Sequence, residues 1–522
     1  MLFAPIPVEK FDLCTREELV ILLKGEQDFR LQLQRDNARL RALNEELKQK
    51  SFLLGETYVT VRNKLFGRSS EKEVASGGSR ERGSQDRPRR KKVQLPSERY
   101  PNAPLIEREV EFQELPTCRC CGKQMKDSGM TEDSEFLTVI PAQYFVVRQK
   151  RHKYTCSCYG DVRTAPAPPT IKAGSSYSDE MKVDVALSKY CDLIPVERYA
   201  AMAGREGLED LPSQSLIEST HQVADFVEGA YEKVKAEVLE SRVLHADETP
   251  HRMLEGDEKK NWYLWGFSNE KASYLEIQDT RSGDVASDFL ADAACEYLVS
   301  DVYSGYGKAV REANGTRGQK DRPHIFHVFC NAHARRKFKE AEAFGEEARF
   351  FIDAYKEIYR LESQVPQKPP DEILRIRQQM VPLFQGMKER AMAQLHAVPS
   401  KSAIGKAYVY FLENYEGLTR FLKDPALPID NNAQERLLRN PVIGRKTWYG
   451  THSKRGAKTA AILFSLVESC KLNGVNPRDY FKRLVADLHL KKPPYSPFQF
   501  QSAQRTLEDP DPCLSLQSPP IA

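Results

Sequence analysis

The spacing of apolar residues changes character several times along the chain. Residues 16–66 carry a seven-residue repeat. Leu19, Leu33, Leu40, Leu47 and Leu54 share one register, broken by Glu26, and Leu22, Phe29 and Leu43 fall three residues after register members. Sustained heptad spacing predicts a helical, coiled-coil region over 1–66, with Asp36 and Lys50 as polar interruptions. The period vanishes over 67–100. There Ser76-Gly77-Gly78-Ser79 and a run from Arg80 to Lys92 with seven positive and two negative charges predict a disordered basic linker.

A short-period pattern follows over 101–165. Phe145 and Val147 interleave with Arg148, Lys150, Arg151 and Lys153, which predicts a basic hairpin between Phe136 and Tyr154. Residues 175–240 read as helical, with Ser213 as the N-cap of a helix through Val223. Two short helices ahead of it leave a helix-turn-helix DNA-binding segment and a helical packing unit both open. From 241 the pattern turns to strands at Val243–Asp247, Trp262–Phe267, Ser273–Ile277, Tyr297–Asp301 and Ile325–Phe329. A helix is predicted at Asp284–Ala294, and together these predict a mixed sheet flanked by helices. Residues 334–425 are helical in pattern, with a break at Pro366–Pro370. Helices return at 433–440 and 457–473, and the Pro/Ser/Gln-rich stretch 490–522 predicts a disordered tail.

The 522 residues correspond to three or four domains at roughly 150 residues each; 40% hydrophobic residues are enough for a sizeable core. No window approaches the ~20 apolar residues of a membrane span, which argues against an integral membrane protein. The first residues lack a basic segment followed by an apolar run, so a secretory signal is not expected. A net charge of +4, from 78 Lys+Arg against 74 Asp+Glu, carries no nucleic-acid signature in itself. The total averages an acid-rich helical majority with two basic blocks, at 80–92 and 436–458.

Eleven cysteines are too few for a disulfide scaffold, and four of them form two close pairs. Cys118 and Cys121 are separated from Cys156 and Cys158 by 34 residues. Two thiolate pairs are the donor set of one tetrahedral structural Zn2+; the additional Cys120 leaves the make-up of the first pair open. Two strands end in Asp247 and Asp301, and neighbouring strands can set such carboxylates side by side. Shared divalent cations relieve their repulsion, and a third carboxylate completes a two-metal site for phosphoryl displacement. Glu435 is the third candidate, at the start of a helix opened by Asp430, Asn431 and Asn432. From Arg436 to Lys458 there are seven Lys/Arg and no acid. Arg436, Arg439, Arg445, Lys446 and Trp448 in that run are candidate DNA contacts, cations for phosphates and a ring for a base.

Several motifs together resemble the insertion sequence 66 family of transposases. They are Leu65-Phe66-Gly67-Arg68-Ser69-Ser70-Glu71-Lys72, the cysteine pairs, Ser188-Lys189-Tyr190, and His245-Ala246-Asp247-Glu248-Thr249. Asp301-Val302-Tyr303-Ser304-Gly305-Tyr306, Cys330-Asn331-Ala332-His333 and the stretch from Ile429 to Trp448 complete the set. The resemblance implies a DDE-type, ribonuclease-H-like catalytic domain over 241–485, with 335–425 as a helical insertion. It implies catalysis by Asp247, Asp301 and Glu435 holding two Mg2+ ions, with strand hydrolysis at element ends followed by 3′-OH attack on target DNA. Cys330 and His333 are expected to brace the core, or to bind a metal. The expected partners are DNA, a second copy through the coiled coil, and accessory transposition proteins, with no membrane; the expected location is the cytoplasm, at the nucleoid. The competing expectations are a catalytically inactive zinc-containing DNA-binding protein derived from a transposase, and a ribonuclease-H-like nuclease.

Overall fold

The computed structural model describes residues 161–508, apart from 255–260 and 319–321, with shorter stretches before them, chiefly 30–48, 95–100 and 143–155. Residues 30–48 are helical. Leu33, Leu40, Leu43 and Leu47 lie 44–60% exposed along it, so the apolar seam is open to solvent among the described residues. Leu19, Leu54 and the basic run 80–92 fall outside the described residues.

The four paired cysteines also fall outside them, but their flanks are in place. Thr117 bridges Gln124 in antiparallel fashion across the first pair. Strands β1 (Lys153–Thr155) and β2 (Val162–Thr164) pair antiparallel across the second, with Tyr154 opposite Arg163. The hairpin thus straddles Cys156 and Cys158 rather than preceding them. Phe145, Val146 and Val147 are 73–91% exposed among the described residues and belong to no strand.

Helices α1 (Asp179–Tyr190), α2 (Val196–Arg205) and α3 (Ser213–Leu239) follow. Helix α3 runs well past Val223 because Val227, Ala230, Val234 and Val238 extend its buried stripe. That stripe joins the same apolar cluster as the sheet. The outer side of α3 is acidic: Glu218, Asp225 and Glu228 pair with Arg455 and Lys458. An acidic, already paired helix face is unsuited to a DNA groove, so the packing alternative describes these helices better than the helix-turn-helix one.

The sheet contains β3 (Val243–Arg252), β4 (Asn261–Ser268), β5 (Ser273–Gln278), β6 (Tyr297–Ser300) and β7 (Phe326–Phe329), in the order β5-β4-β3-β6-β7. β3, β4 and β5 form an antiparallel meander; β6 and β7 join it in parallel. β3 continues beyond Asp247 to Arg252, which leaves the acid mid-strand. Period-two alternation assigns the two faces. Leu244 and Leu298 enter one cluster, while Val243 and Val299 meet another. Helices α4 (Gly283–Asp292) and α5 (Ser304–Arg317) cover the Leu244 face, with Phe289 stacked on Phe267 and Tyr306 edge-on to Trp265.

After β7 come α6 (Asn331–Glu340), α7 (Glu346–Glu362), α8 (Pro370–Gln378), α9 (Val381–Gln394) and α10 (Ala403–Glu413). Phe338, Phe351, Tyr355, Phe384 and Tyr408 from these helices build a second core on the Val299–Val328 side of the sheet. The insertion is therefore packed on the sheet as well as carrying its own core. Helix α11 (Asn432–Trp448) lies on the Asp247 side of the sheet, and α12 (Lys454–Leu472) runs against the edge strand β5, its buried residues joining the Leu244 cluster. A Cβ at Gly266, opposite Asp247, would collide with Gln434 and Leu438; the glycine lets α11 lie close on the sheet. Ser465 and Ser469 of α12 accept hydrogen bonds from the Leu275 and Ser273 amides of the edge strand β5 (2.8 and 3.0 Å). The chain closes with α13 (Pro477–His489) and α14 (Pro497–Glu508). Over 490–508 this corrects the expected disordered tail of 490–522; residues 509–522 lie outside the described residues. Tyr495 and Phe500 stack on each other and meet Tyr480 edge-on, an aromatic anchor within a Pro/Ser/Gln-rich stretch.

Candidate active site

Adjacent parallel strands set the first two acids. His245 of β3 lies opposite Val299 of β6. Two residues further on come Asp247, still within β3, and Asp301, one residue past the end of β6, which brings both acids to the same level beside strands about 4.8 Å apart. Each is oriented by the backbone. Asp247 Oδ1 accepts from the Glu248 amide, and Asp301 Oδ1 from the Tyr303 amide as α5 begins, both at 2.9 Å.

Glu435 comes from the first turn of α11. A buried asparagine holds that turn against β3. Asn431, 2% exposed, donates from Nδ2 to the Ala246 carbonyl at 2.8 Å and accepts at Oδ1 from His245 Nδ1 at 2.8 Å. Its backbone N–H donates to Cys330 Sγ at 3.2 Å. Asn331, fully buried, fixes the preceding residues: Nδ2 donates to the Leu418 and Ile429 carbonyls at 2.9 and 3.0 Å, and Oδ1 accepts from Tyr355 at 3.2 Å. Asn431 was read from sequence as a cap; its side chain instead spans to the strand and caps nothing. Asp430 does the local work, accepting from Asn432 and from the Tyr359 hydroxyl.

The acids influence one another. Burial, followed by the charges of Glu248, Asp301 and Glu435, pushes the Asp247 carboxyl up to about 8. The three proposed metal acids nevertheless do not converge on one point. Among the described residues, the group whose ligand atoms all lie within 4.8 Å of one another is Cys330, His333 and Glu435. Glu435 Oε1 turns toward His333 Nδ1, 3.8 Å away, and neither atom has a hydrogen-bond partner.

Glu248 was overlooked in the sequence although it adjoins Asp247. Strand alternation puts it on the opposite face, where Tyr306 donates to it at 2.6 Å and Arg281 at 2.7 Å. Burial raises its pKa. It ties β3 to α5, the helix that starts just after Asp301.

The basic run divides in two. Arg436, Arg439 and Lys446 are exposed on α11, with Ile443 between them, and make no ion pair among the described residues. Arg455 and Lys458 are spent on α3. Arg445 is half-buried and faces His251, whose pKa burial and that charge lower to about 4. Trp448, expected as a DNA contact, is half-buried and packs edge-on to Tyr190 and parallel to Phe464, with Lys189 over its ring. Its neighbour Tyr449 is the exposed aromatic, at 73%. The cue was available, since a tryptophan amid helical core residues is more often packing than contact.

The chain matches the family model "Transposase IS66 family" over residues 174–459, which spans α1 to the start of α12 and includes both aspartates and Glu435. The chain belongs to the IS66 transposase family. A second match, to the zinc-finger binding domain of the IS66 transposase, covers residues 116–158 and all four paired cysteines. Similar proteins from Sinorhizobium fredii include the uncharacterized protein y4hP, 28% identical over 450 residues, covering 81% of this chain and 79% of the relative. Uncharacterized protein y4qI is 29% identical over 429 residues, 77% and 76% of the two chains. For this IS66 family member the zinc finger, the mixed sheet with helices and a transposase kind of activity on DNA therefore stand together.

The raised Asp247 pKa has a measurable consequence for this transposase. Its ordinary value is 3.8 and its folded value about 8, so the fold favours the neutral acid. That stability is fully present below the ordinary value and is lost as pH rises toward 8. Without divalent cations, apparent Tm is expected to fall between pH 6 and 8.5. Asp247→Asn should flatten this profile and raise Tm at pH 8 by a few degrees, on the order of 1–3 kcal/mol. Thermal denaturation across pH checks it; a variant profile superimposable on wild type would contradict the burial argument.

Proposed function

We propose that this chain is a DDE transposase that cuts the ends of its insertion sequence and joins the freed 3′-OH to target DNA. The observation that carries the reading is the pairing of Asp247 and Asp301 on neighbouring parallel strands, faced by Glu435 on a helix pinned to the same strand. An antiparallel meander extended by two parallel strands supports a ribonuclease-H-like core. The crowded Asp247 carboxyl is chemically suited to cations: its proton is held first by burial and then by nearby negative charge, both of which a divalent ion would offset. Asp247, Asp301 and Glu435 would hold two Mg2+, which when bound supply Lewis-acid stabilisation of the attacking and leaving oxygens. The protein's own part is positional. Asn431 and Asn331 hold the first turn of α11, Glu248 holds α5 behind the strand, and the exposed cations of α11 carry the phosphate backbone beside the acids. Attack by water and then by the 3′-OH needs no covalent protein–DNA intermediate.

The remaining modules fit the same reading. Cys118, Cys121, Cys156 and Cys158 would hold one structural Zn2+, each pair in a turn closed by an antiparallel bridge. The open leucine seam of 30–48 would pair with a second copy to bring two element ends together; accessory transposition proteins are further partners. Among the described residues no helix is long and apolar enough to cross a membrane. The proposed place of work is nucleoid DNA in the cytoplasm.

Alanine at Asp247, Asp301 or Glu435 is expected to abolish Mg2+-dependent cleavage of element ends while DNA binding persists. Cleavage retained by any of the three removes that residue from the triad, and wild-type protein that binds ends without nicking them, in Mg2+ or Mn2+, favours the inactive DNA-binding alternative. Joint replacement of Arg436, Arg439 and Lys446 by Gln should lower the slope of log affinity against log salt by roughly 0.9 per charge. The Arg455→Gln, Lys458→Gln pair should leave the slope unchanged, and equal effects from both sets would place the DNA elsewhere. Deleting residues 16–66 should shift sedimentation toward monomer; an unaltered profile refutes pairing through the leucine seam.

A further inference from the structure

We infer that Cys330, His333 and Glu435 form a second transition-metal site, of zinc type, distinct from the paired cysteines and sharing its carboxylate with the acid cluster. The donors are a thiol, an imidazole and a carboxylate, three ligand types of protein zinc centres. Cys330 is the N-cap of α6 and His333 lies one turn on, so the Cys-x-x-His spacing sets both on one side of the helix start. Their ligand atoms and a Glu435 oxygen already lie within 4.8 Å of one another, and His333 Nδ1 is 3.8 Å from Glu435 Oε1. Zn2+ bonds of about 2.0–2.3 Å set tetrahedral donor separations of roughly 3.3–3.8 Å. Closing the group therefore takes movements on the order of 1 Å, within reach of side-chain rotation alone.

Two further observations point to a ligand. His333 Nδ1 and Glu435 Oε1 are shielded from solvent and have no hydrogen-bond partner, although buried polar atoms are ordinarily satisfied. The sulfur is lined by N–H donors, which offset only in part the burial that pushes the Cys330 thiol up to about 12. The Asn431 amide donates to it at 3.2 Å, and the amides of Ala332 and His333 also face it. Such N–H groups around a thiolate are a usual outer shell of a metal-bound cysteine. The donor set also sorts metals: thiolate and imidazole select zinc-like ions, whereas the aspartate side offers only oxygens, suited to Mg2+. An ion on the Cys–His side would hold Glu435 in its present rotamer, turned from Asp247 and Asp301. Metal uptake stands by itself; the consequence, that Zn2+ restrains cleavage by retaining Glu435, rests on the proposed catalytic role of that residue.

The test is Co2+ uptake by the full-length chain stripped of metal, followed by thiolate-to-metal charge-transfer absorption and by bound metal per chain, with no DNA present. Wild type is expected to take up two thiolate-bound equivalents, counted by their charge-transfer absorption apart from any ion held by carboxylates alone, and all equivalents below are counted in this way. Cys330→Ser and His333→Ala should each lose one equivalent, Cys121→Ser should lose the other, and Glu435→Gln should weaken the Cys330 site by about tenfold or more. His333 is 27% exposed, so its replacement is expected to leave the fold intact, as circular dichroism would verify. A wild-type chain with a single equivalent, or Cys330→Ser and His333→Ala chains with the same uptake as wild type, would overturn the site. Neither outcome touches the acid-triad reading, which is decided by Mg2+-dependent cleavage.

Discussion

The site depends on one buried amide. Glu435 lies far along the chain from Asp247, beyond the whole helical insertion, and Asn431 reunites them. Its side chain satisfies both ends inside the protein, donating to Ala246 and accepting from His245, the two residues just before Asp247 on the strand. A buried amide left unpaired costs about 1–3 kcal/mol per group, so the bonds are strongly directional. They specify which turn of α11 meets which residue of β3. Loss of hydrophobic contact elsewhere along α11 would loosen the helix; loss of this contact would misplace the carboxylate itself.

The insertion is tied into the same arrangement. Asn331 at the start of α6 bonds the Ile429 carbonyl, two residues before Asn431, and Tyr355 of α7 completes its hydrogen bonding. Val299 and Val328 of the sheet belong to the insertion's apolar cluster. Long connections cost little extra closure entropy, since each doubling adds only about 0.6 kcal/mol. The chain can therefore leave the sheet after β7, build a second core and return, provided the return point is fixed. Two buried asparagines and Cys330 fix it.

Much of this was legible in the sequence where one residue type answers to one constraint. The strands came through because β-branched and aromatic runs alternate, and the acids came through because each ends or interrupts an apolar run. The tie between them was not legible. Asn431 follows Asp430 and precedes Asn432, and all three have the side chains of helix caps; only the fold separates the residue that caps from the one that crosses to the strand. The packing of Trp448 was hidden for a similar reason. An aromatic beside Arg445 and Lys446 suits DNA by composition, yet Tyr190 and Phe464 lie where its ring can be buried, and a methyl at Gly444 would come within 2.6 Å of that ring. The tail helix was hidden because Tyr495 and Phe500 are few among prolines, serines and glutamines, and two rings suffice when Tyr480 already waits on the core.

Charge follows the same logic and explains why a net +4 says so little. Arg455 and Lys458 face Glu218, Asp225 and Glu228 across α3, so one end of the basic block serves to dock helices. Exposed pairs of this kind contribute little stability, about 0–1 kcal/mol each. Their larger effect is to remove those cations from the outer field. Among the described residues Arg436, Arg439 and Lys446 make no ion pair and leave one face of α11 uncompensated, beginning one residue after Glu435. A polyanion drawn to that face by long-range attraction is delivered along the helix toward its N-terminus, where the helix dipole also favours negative charge. The helix that positions the third acid therefore also orients whatever phosphate chain reaches it, and the two tasks cannot be separated by moving α11.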